Sequence, residues 1–154
     1  MKIQIDQAIT RALQQHGLRP TRARQLILAL IEQDNQHYTP EEMLVRLNAM
    51  GERLSIATLY QNLAKLVDKG LLVKFVGLDG EYRYDYNKLP HHHLICESCG
   101  RIVDVLVDQA LDAIDPRLMD ANGPKRLPPG WKILQRRVDF IGVCPDCSQQ
   151  MAEN

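Results

Sequence analysis

The stretch His91-His92-His93-Leu94-Ile95-Cys96-Glu97-Ser98-Cys99-Gly100-Arg101-Ile102-Val103-Asp104 sets two kinds of metal ligand side by side. Cys96 and Cys99 form a Cys-x-x-Cys knuckle, and a second one, Cys144-Pro145-Asp146-Cys147, follows much later. Together they use all four cysteines of the 154-residue chain. Four thiolates complete the tetrahedral shell of a structural zinc, with Zn–S of about 2.3 Å. The long gap between the pairs means that the metal would staple the start of a domain to its end. Disulfides are the rival reading. Against them, Met1-Lys2-Ile3-Gln4-Ile5-Asp6 has neither the apolar core nor the cleavage signature of a secretory leader, so a reducing cytoplasm is the expected setting. A thioredoxin-like redox pair needs one Cys-x-x-Cys in a βαβ context, which the sequence does not offer.

Just ahead of the first knuckle, His91 and His93 face one side of an extended segment and His92 the other. Two imidazoles without thiolate suit a borderline divalent ion such as iron, manganese or zinc. Asp85 and Asp104 can add oxygen ligands, and His37 can come from the other half of the chain. Each has an ordinary reading too: a lone histidine before a helix is commonly a surface residue, and Asp85 has Arg83 and Lys88 nearby as salt-bridge partners.

Upstream, the pattern is helical. Ile5, Ile9, Ala12 and Leu13 recur at helical spacing over residues 3–16, and Gly17 ends the run. Pro20-Thr21 opens a second helix with Leu26, Ile27, Leu30 and Ile31 inside. Thr39-Pro40-Glu41-Glu42 supplies a cap, a proline at the first helical position and a capping-box glutamate for a third, ending near Met50. Ser55 caps a fourth, residues 56–69, stopped by Gly70. Its apolar face reads Ile56, Leu59, Leu63, Leu66 and Val67, and Ala57, Thr58, Gln61 and Lys65 lie opposite. Residues 71–76 and 81–86 read as two strands joined at Leu78-Asp79-Gly80. The last three helices and this hairpin make a winged helix-turn-helix.

Such a fold lays its second helix in the major groove of double-stranded DNA. Ala57 and the Thr58 methyl suit thymine methyls, Gln61 suits adenine, Lys65 reaches phosphate, and Tyr60 flanks the apolar stripe with its hydroxyl outward. The plainer alternative is a half-buried Tyr60 among solvated neighbours. Charge favours DNA: residues 1–30 carry Lys2, Arg11, Arg19, Arg22 and Arg24 against Asp6 alone, although the whole chain is formally neutral. No apolar run approaches a membrane span.

Beyond Asn87 the expected elements are strands at 94–96 and 102–107, a helix at 108–120, a Pro/Gly-rich loop at 122–130 and a strand at 131–143. The expectation is an α+β protein. Residues 1–86 form a winged-helix DNA-binding domain, 87–90 a hinge, and 91–154 a small α/β dimerisation and metal-binding domain. An enzyme with an open His/Asp metal position is the rival from another class, but no separate general base or substrate-pocket motif accompanies it. A zinc-ribbon interaction module without DNA affinity would leave the basic first helices incidental.

From about residue 10 to residue 147 the chain resembles the ferric uptake regulator (Fur) family of bacterial metal-dependent repressors. The matching motifs are Gly17-Leu18-Arg19-Pro20-Thr21-Arg22-x-Arg24, Ser55-Ile56-Ala57-Thr58-Leu59-Tyr60-Gln61-Asn62-Leu63 and the stretch quoted first. The resemblance implies a homodimer on an A/T-rich palindromic operator, a structural zinc on Cys96, Cys99, Cys144 and Cys147, and a regulatory Fe²⁺ or Mn²⁺ on His37, Asp85, His91, His93 and Asp104. It implies DNA contacts from Arg19, Arg22, Ala57, Thr58, Tyr60, Gln61 and Lys65. Three histidines and two aspartates are most like the peroxide-stress regulator branch, in which iron-catalysed oxidation of a histidine releases DNA. The iron-sensing branch usually has glutamate at the positions of Asp85 and Asp104, so an iron- or manganese-uptake regulator is the alternative. The zinc-sensing branch adds a sensory cysteine, and here all four are committed. A third metal site found in some iron regulators is not expected, because Pro90, Leu111 and Arg136 stand at its ligand positions.

Overall fold

The computed structural model describes residues 3–86, 91–106 and 138–152. The hinge at 87–90, the helix at 108–120, the loop at 122–130, and Pro90, Leu111 and Arg136 lie outside the described residues.

Four helices and a hairpin come first: α1 Gln7–Gln15, α2 Arg22–Asp34, α3 Pro40–Ala49, α4 Ile56–Asp68, β1 Leu72–Val76 and β2 Tyr82–Tyr86. Their ends follow from local chemistry. The Asp6 carboxylate accepts from the Ala8 N–H at the start of α1. Thr39 and Glu42 form a reciprocal capping box on α3, with Pro40 at its first turn. Ser55 Oγ accepts from the Thr58 N–H at the start of α4. At the other end of α4, Gly70 adopts φ +72°, a left-handed value that costs glycine no Cβ clash.

The apolar stripes of these helices meet in one core. Leu13, Leu26, Ile27, Leu28, Leu30, Met43, Leu47, Leu59, Leu63 and Leu66 are fully buried there, and Leu72 and Tyr84 join from the hairpin. Ile56 differs from expectation: it is 42% exposed. As the first residue of α4 it precedes the turn that dips into the core.

The second unit is a three-stranded sheet, β3 His92–Cys96, β4 Ile102–Val105 and β5 Asp139–Gly142, in the order β4-β3-β5. β3 and β4 form an antiparallel hairpin across the first knuckle. β5 lies parallel to β3, with His93 opposite Asp139 and Cys96 opposite Gly142. Residues 138–143 are the described part of the strand expected at 131–143. A helix the sequence did not announce, α5 Pro145–Ala152, carries Cys147 in its first turn. None of its residues is buried, so it has no apolar stripe to read.

Phe75 of β1, Ile95 of β3 and Ile102 of β4 form a separate small cluster that joins the wing to the second sheet. Phe75 is only 4% exposed. Truncating a buried phenylalanine costs about 3–5 kcal/mol in a well-packed site. Phe75→Ala is therefore expected to loosen the union of head and body while sparing the helical core. Limited proteolysis should show faster cleavage between β2 and β3, and an unchanged cleavage rate would discount this contact.

Candidate metal centres and DNA-facing helix

His37 sits in the link between α2 and α3. Asn35 ends α2 in the left-handed region (φ 47°), which turns the chain sharply back toward the wing. Two contacts then hold the link against β2. The Tyr84 N–H donates to the Tyr38 carbonyl at 3.1 Å, and Arg83 Nη1 donates to the His37 carbonyl at 2.9 Å. Arg83 is in turn fixed by Glu42 and Asp79, at 3.0 and 2.6 Å, and not by Asp85. His37 and Asp85 thus reach the same place from two segments of the head.

The second sheet completes the set. His93 and Asp104 are cross-strand partners in the β3–β4 ladder, and His91 immediately precedes β3. His37, His91, His93 and Asp104 each bring one donor atom within 4.8 Å of all the others. Asp104 Oδ1 lies 2.9, 3.6 and 3.8 Å from Nε2 of His37, His91 and His93. Asp85 borders this set, with Oδ2 at 2.9 Å from His91 Nε2 and 4.0 Å from His93 Nε2, and Oδ1 at 3.8 Å from His37 Nε2.

The donor set fits a divalent cation. Metal–ligand bonds of about 2.1 Å put neighbouring donors about 3.0–3.4 Å apart, within the range found here. Nε2 of His37, Nε2 of His93 and Oδ1 of Asp104 are buried yet make no aligned hydrogen bond. Buried polar atoms are ordinarily satisfied, so atoms converging on one point ask for a partner. Burial holds the His37 and His93 imidazoles below their usual value and pushes Asp85 up. Neutral imidazole is the form that ligates. A cavity of about 270 Å³ opens onto the cluster, lined by Glu32, Gln36, His37, Asp85, His91 and Asp104 among others.

His93 has further neighbours that the sequence did not reveal. The Phe75 ring stacks on it at 4.7 Å and 19°, and the Asp139 carboxylate stands 3.5 Å from Nδ1. Register across a parallel pair of strands placed Asp139, and nothing local in the sequence signals it. His92 points to the opposite face, edge-on to Phe140 at 6.5 Å.

The second cluster is formed by Cys96, Cys99, Cys144 and Cys147, whose sulfurs all lie within 4.8 Å of one another. Cys99 Sγ and Cys144 Sγ are 3.8 Å apart. Tetrahedral zinc with bonds of about 2.3 Å sets its sulfurs about 3.8 Å apart, so the shell fits. Gly100 (φ +72°) folds the first knuckle back, its N–H donating to the Cys96 carbonyl at 2.9 Å. The Cys144 N–H donates to Cys96 Sγ at 3.3 Å, which helps hold that thiol down at about 6. Thiol contacts from Cys144 and Cys99 push Cys147 up to about 12.

On α4, Ala57, Tyr60, Gln61 and Lys65 are exposed and Thr58 is half-buried. Three of the expected DNA contacts have side-chain partners within the protein, and the first is Thr58, whose Oγ1 lies 2.8 Å from Ser55 Oγ. The Tyr60 hydroxyl donates to Glu41 at 2.9 Å, and Arg22 is ion-paired with Glu52. Arg19 is exposed, and its carbonyl accepts from Arg24 Nη1 at 2.7 Å. Arg24 also donates to Asn62 at 3.1 Å, tying the start of α2 to α4. Among the described residues, no helix is long and apolar enough to cross a membrane.

Known proteins resemble this chain over most of its length. The model of the ferric uptake regulator family matches residues 15–126. The peroxide-responsive repressor PerR of Staphylococcus epidermidis is 30% identical over 139 residues, covering 90% of this chain and 87% of its own. The PerR of Staphylococcus saprophyticus is 30% identical over 147 residues, covering 96% and 93%. Among solved structures, the Vibrio cholerae ferric uptake regulator superposes with a TM-score of 0.65 at 25% identity, covering 88% of this chain and 98% of that one. The Campylobacter jejuni peroxide stress regulator shares the fold, with a TM-score of 0.64 at 22% identity over 92% and 97%. With the family model matching residues 15–126 and relatives 30% identical over 90% or more of its length, the chain belongs to the ferric uptake regulator family.

Proposed function

We propose that the chain is a metal-dependent DNA-binding repressor that responds to peroxide. One observation supports the metal switch: His37 from the head converges with His91, His93 and Asp104 from the body, and Asp85 of the head borders this set at 2.9 Å from His91. Residues 1–86 form the DNA-binding domain, 87–90 the hinge and 91–154 the dimerisation domain. Cys96, Cys99, Cys144 and Cys147 hold structural zinc. Fe²⁺ or Mn²⁺ is held by the three histidines and two aspartates, and the setting is cytoplasmic.

Closing the head onto the body fixes the two α4 helices of a homodimer at the spacing of successive half-sites in an A/T-rich palindrome. Ala57, Thr58 and Gln61 read base edges. Lys65, Arg19 and Arg22 meet phosphate, and Tyr60 meets the backbone when it leaves Glu41. Bound iron would supply the one-electron chemistry that cleaves peroxide. The net change at the protein is one oxygen added to the His37 or His91 imidazole and one water released per peroxide. An oxidised imidazole is a poorer ligand, so the head is released and DNA with it. The two aspartates, and the 30% identity to proteins named as peroxide-responsive repressors, support this reading over plain metal sensing.

The test compares operator binding by the zinc-loaded protein with Fe²⁺ and with Mn²⁺, before and after a low peroxide pulse. Loss confined to the iron form, with a 16-Da gain (about one oxygen) on the peptide holding His37 or His91, is expected. Retention in both forms, without added oxygen, would leave an iron- or manganese-uptake regulator.

A further inference from the structure

We propose that Asp139 is a positioning residue for the His/Asp metal centre: its carboxylate holds the His93 imidazole in the tautomer with hydrogen on Nδ1, which turns the Nε2 lone pair toward the cluster. The inference rests on the metal-site reading above and extends it to a residue outside the ligand set.

The geometry restrains His93 from several directions. Phe75 stacks on one face of the ring, and the edges of His37 and His91 approach at centroid distances of 4.9 and 5.1 Å. These ring contacts fix its plane but do not determine which nitrogen carries the proton. Only the polar groups at the two nitrogens can do that. Nε2 faces the donors of the cluster, with Asp104 Oδ1 at 3.8 Å and Asp85 Oδ2 at 4.0 Å. Nδ1 faces Asp139 Oδ1 at 3.5 Å, a charge contact without an aligned hydrogen bond, and among the described residues no other hydrogen-bond partner reaches this buried nitrogen. A carboxylate accepts and cannot donate, so it selects the tautomer that offers it N–H. Histidines that ligate metals ordinarily donate their other ring N–H in this way, and losing that acceptor typically weakens metal binding 10–100-fold.

The placement of Asp139 has a second consequence. It begins β5, directly opposite His93, and the same strand leads into Cys144 and the second knuckle. Its position therefore depends on β5 pairing with β3, and the four-cysteine cluster anchors the far end of that pairing. The two metal centres are linked through one short strand, with Asp139 at the regulatory end.

The experiment uses the full-length, zinc-loaded protein with Mn²⁺ as the probe, and compares wild type with Asp139→Asn, Asp139→Ala and Asp139→Glu. The first readout is the Mn²⁺ dissociation constant from competition with a fluorescent chelator. The second is the His93 tautomer in the Mn²⁺-free protein, from two-bond ¹H–¹⁵N spectra of ¹⁵N-histidine-labelled samples. Zinc content and circular dichroism report on folding. Expected are a roughly 10–100-fold weaker Mn²⁺ affinity in Asp139→Asn and Asp139→Ala, a shift of His93 away from Nδ1–H, and substantial recovery of both in Asp139→Glu. A purely structural role would disturb zinc content or circular dichroism and leave the tautomer of the folded fraction unchanged, and that would overturn the proposal. Unchanged Mn²⁺ affinity and tautomer in both Asn and Ala variants would overturn it as well, while tight wild-type binding would leave the site assignment standing. A wild type that takes up no Mn²⁺ would instead sink the site assignment, and the tautomer spectra would then decide on Asp139 alone.

Discussion

Cys96→Ser is expected to empty the four-cysteine site and unfold the sheet of the body while the helical head stays folded. Buried apolar residues explain the asymmetry. The head owns a core that runs from Ile3 to Tyr84, whereas the described part of the body buries little apolar surface beyond Ile95, Cys96 and Ile102. A unit with so small a core depends on a staple. Structural zinc supplies about 10–16 kcal/mol of apparent binding free energy at neutral pH, and that energy is coupled to folding. No apolar contact seen in the body approaches this. Metal analysis should find zinc near zero, and thermal melts should split, with the head retaining a helical transition of its own. A variant that keeps full zinc and a single transition would argue against the staple. Because zinc displaces thiol protons, including one from Cys147, whose thiol stands at about 12, its affinity should fall as the pH is lowered.

His37→Ala should have the next largest effect, and of a different kind. His37 is a buried donor that reaches the cluster from the head, so its loss breaks the bridge without touching the body's sheet. Mn²⁺ affinity should drop by at least ~100-fold, the upper end of what losing even an outer partner costs. DNA affinity in saturating Mn²⁺ should fall to the metal-free level. Moving a switch from 1:99 to 99:1 requires about 5.5 kcal/mol of preferential binding, which the remaining ligands, all but Asp85 in the body, cannot direct at the closed form. Linkage supplies a cross-check. Whatever factor Mn²⁺ adds to DNA affinity in the wild type, operator DNA must add to Mn²⁺ affinity, and in His37→Ala both factors should approach one. Fluorescence anisotropy with labelled operator, run with and without Mn²⁺, measures the first. An undiminished metal effect in the variant would remove His37 from the switch.

Much of this was legible in the sequence because it is local. Capping at Thr39 and Ser55 and the stops at Gly17 and Gly70 depend on neighbours a few residues away, and each marks a helix boundary to within a residue or two; the first helix, read over residues 3–16, starts only at Gln7, behind a cap at Asp6. The two knuckles announced themselves by spacing. What the sequence left hidden depends on pairing at a distance. Nothing near Asp139 states that it will stand opposite His93, since a parallel ladder between distant strands has no turn to set its register. Phe75 lies in the strand expected at 71–76, yet it packs against the body and stacks on His93, which a strand's own sequence does not announce. Ile56 fits the stripe of α4 by periodicity, but at the first position of the helix there is no core beneath it. α5 escaped because a short exposed helix has no stripe at all.

The parallel pairing of β3 with β5 also bears on how the molecule assembles in time. Helices and a hairpin form from contacts between residues close in the chain, so the head has what it needs to fold early. β5 can join only after more than forty residues of chain have been brought round, and loop closure must be met before any ladder bond rewards it. The same event delivers the second pair of thiols to the first. Refolding from denaturant should thus show a fast helical phase followed by a slower one whose rate rises with free zinc, and between the two phases the cell would hold a chain whose DNA-reading head is finished before its sensor exists.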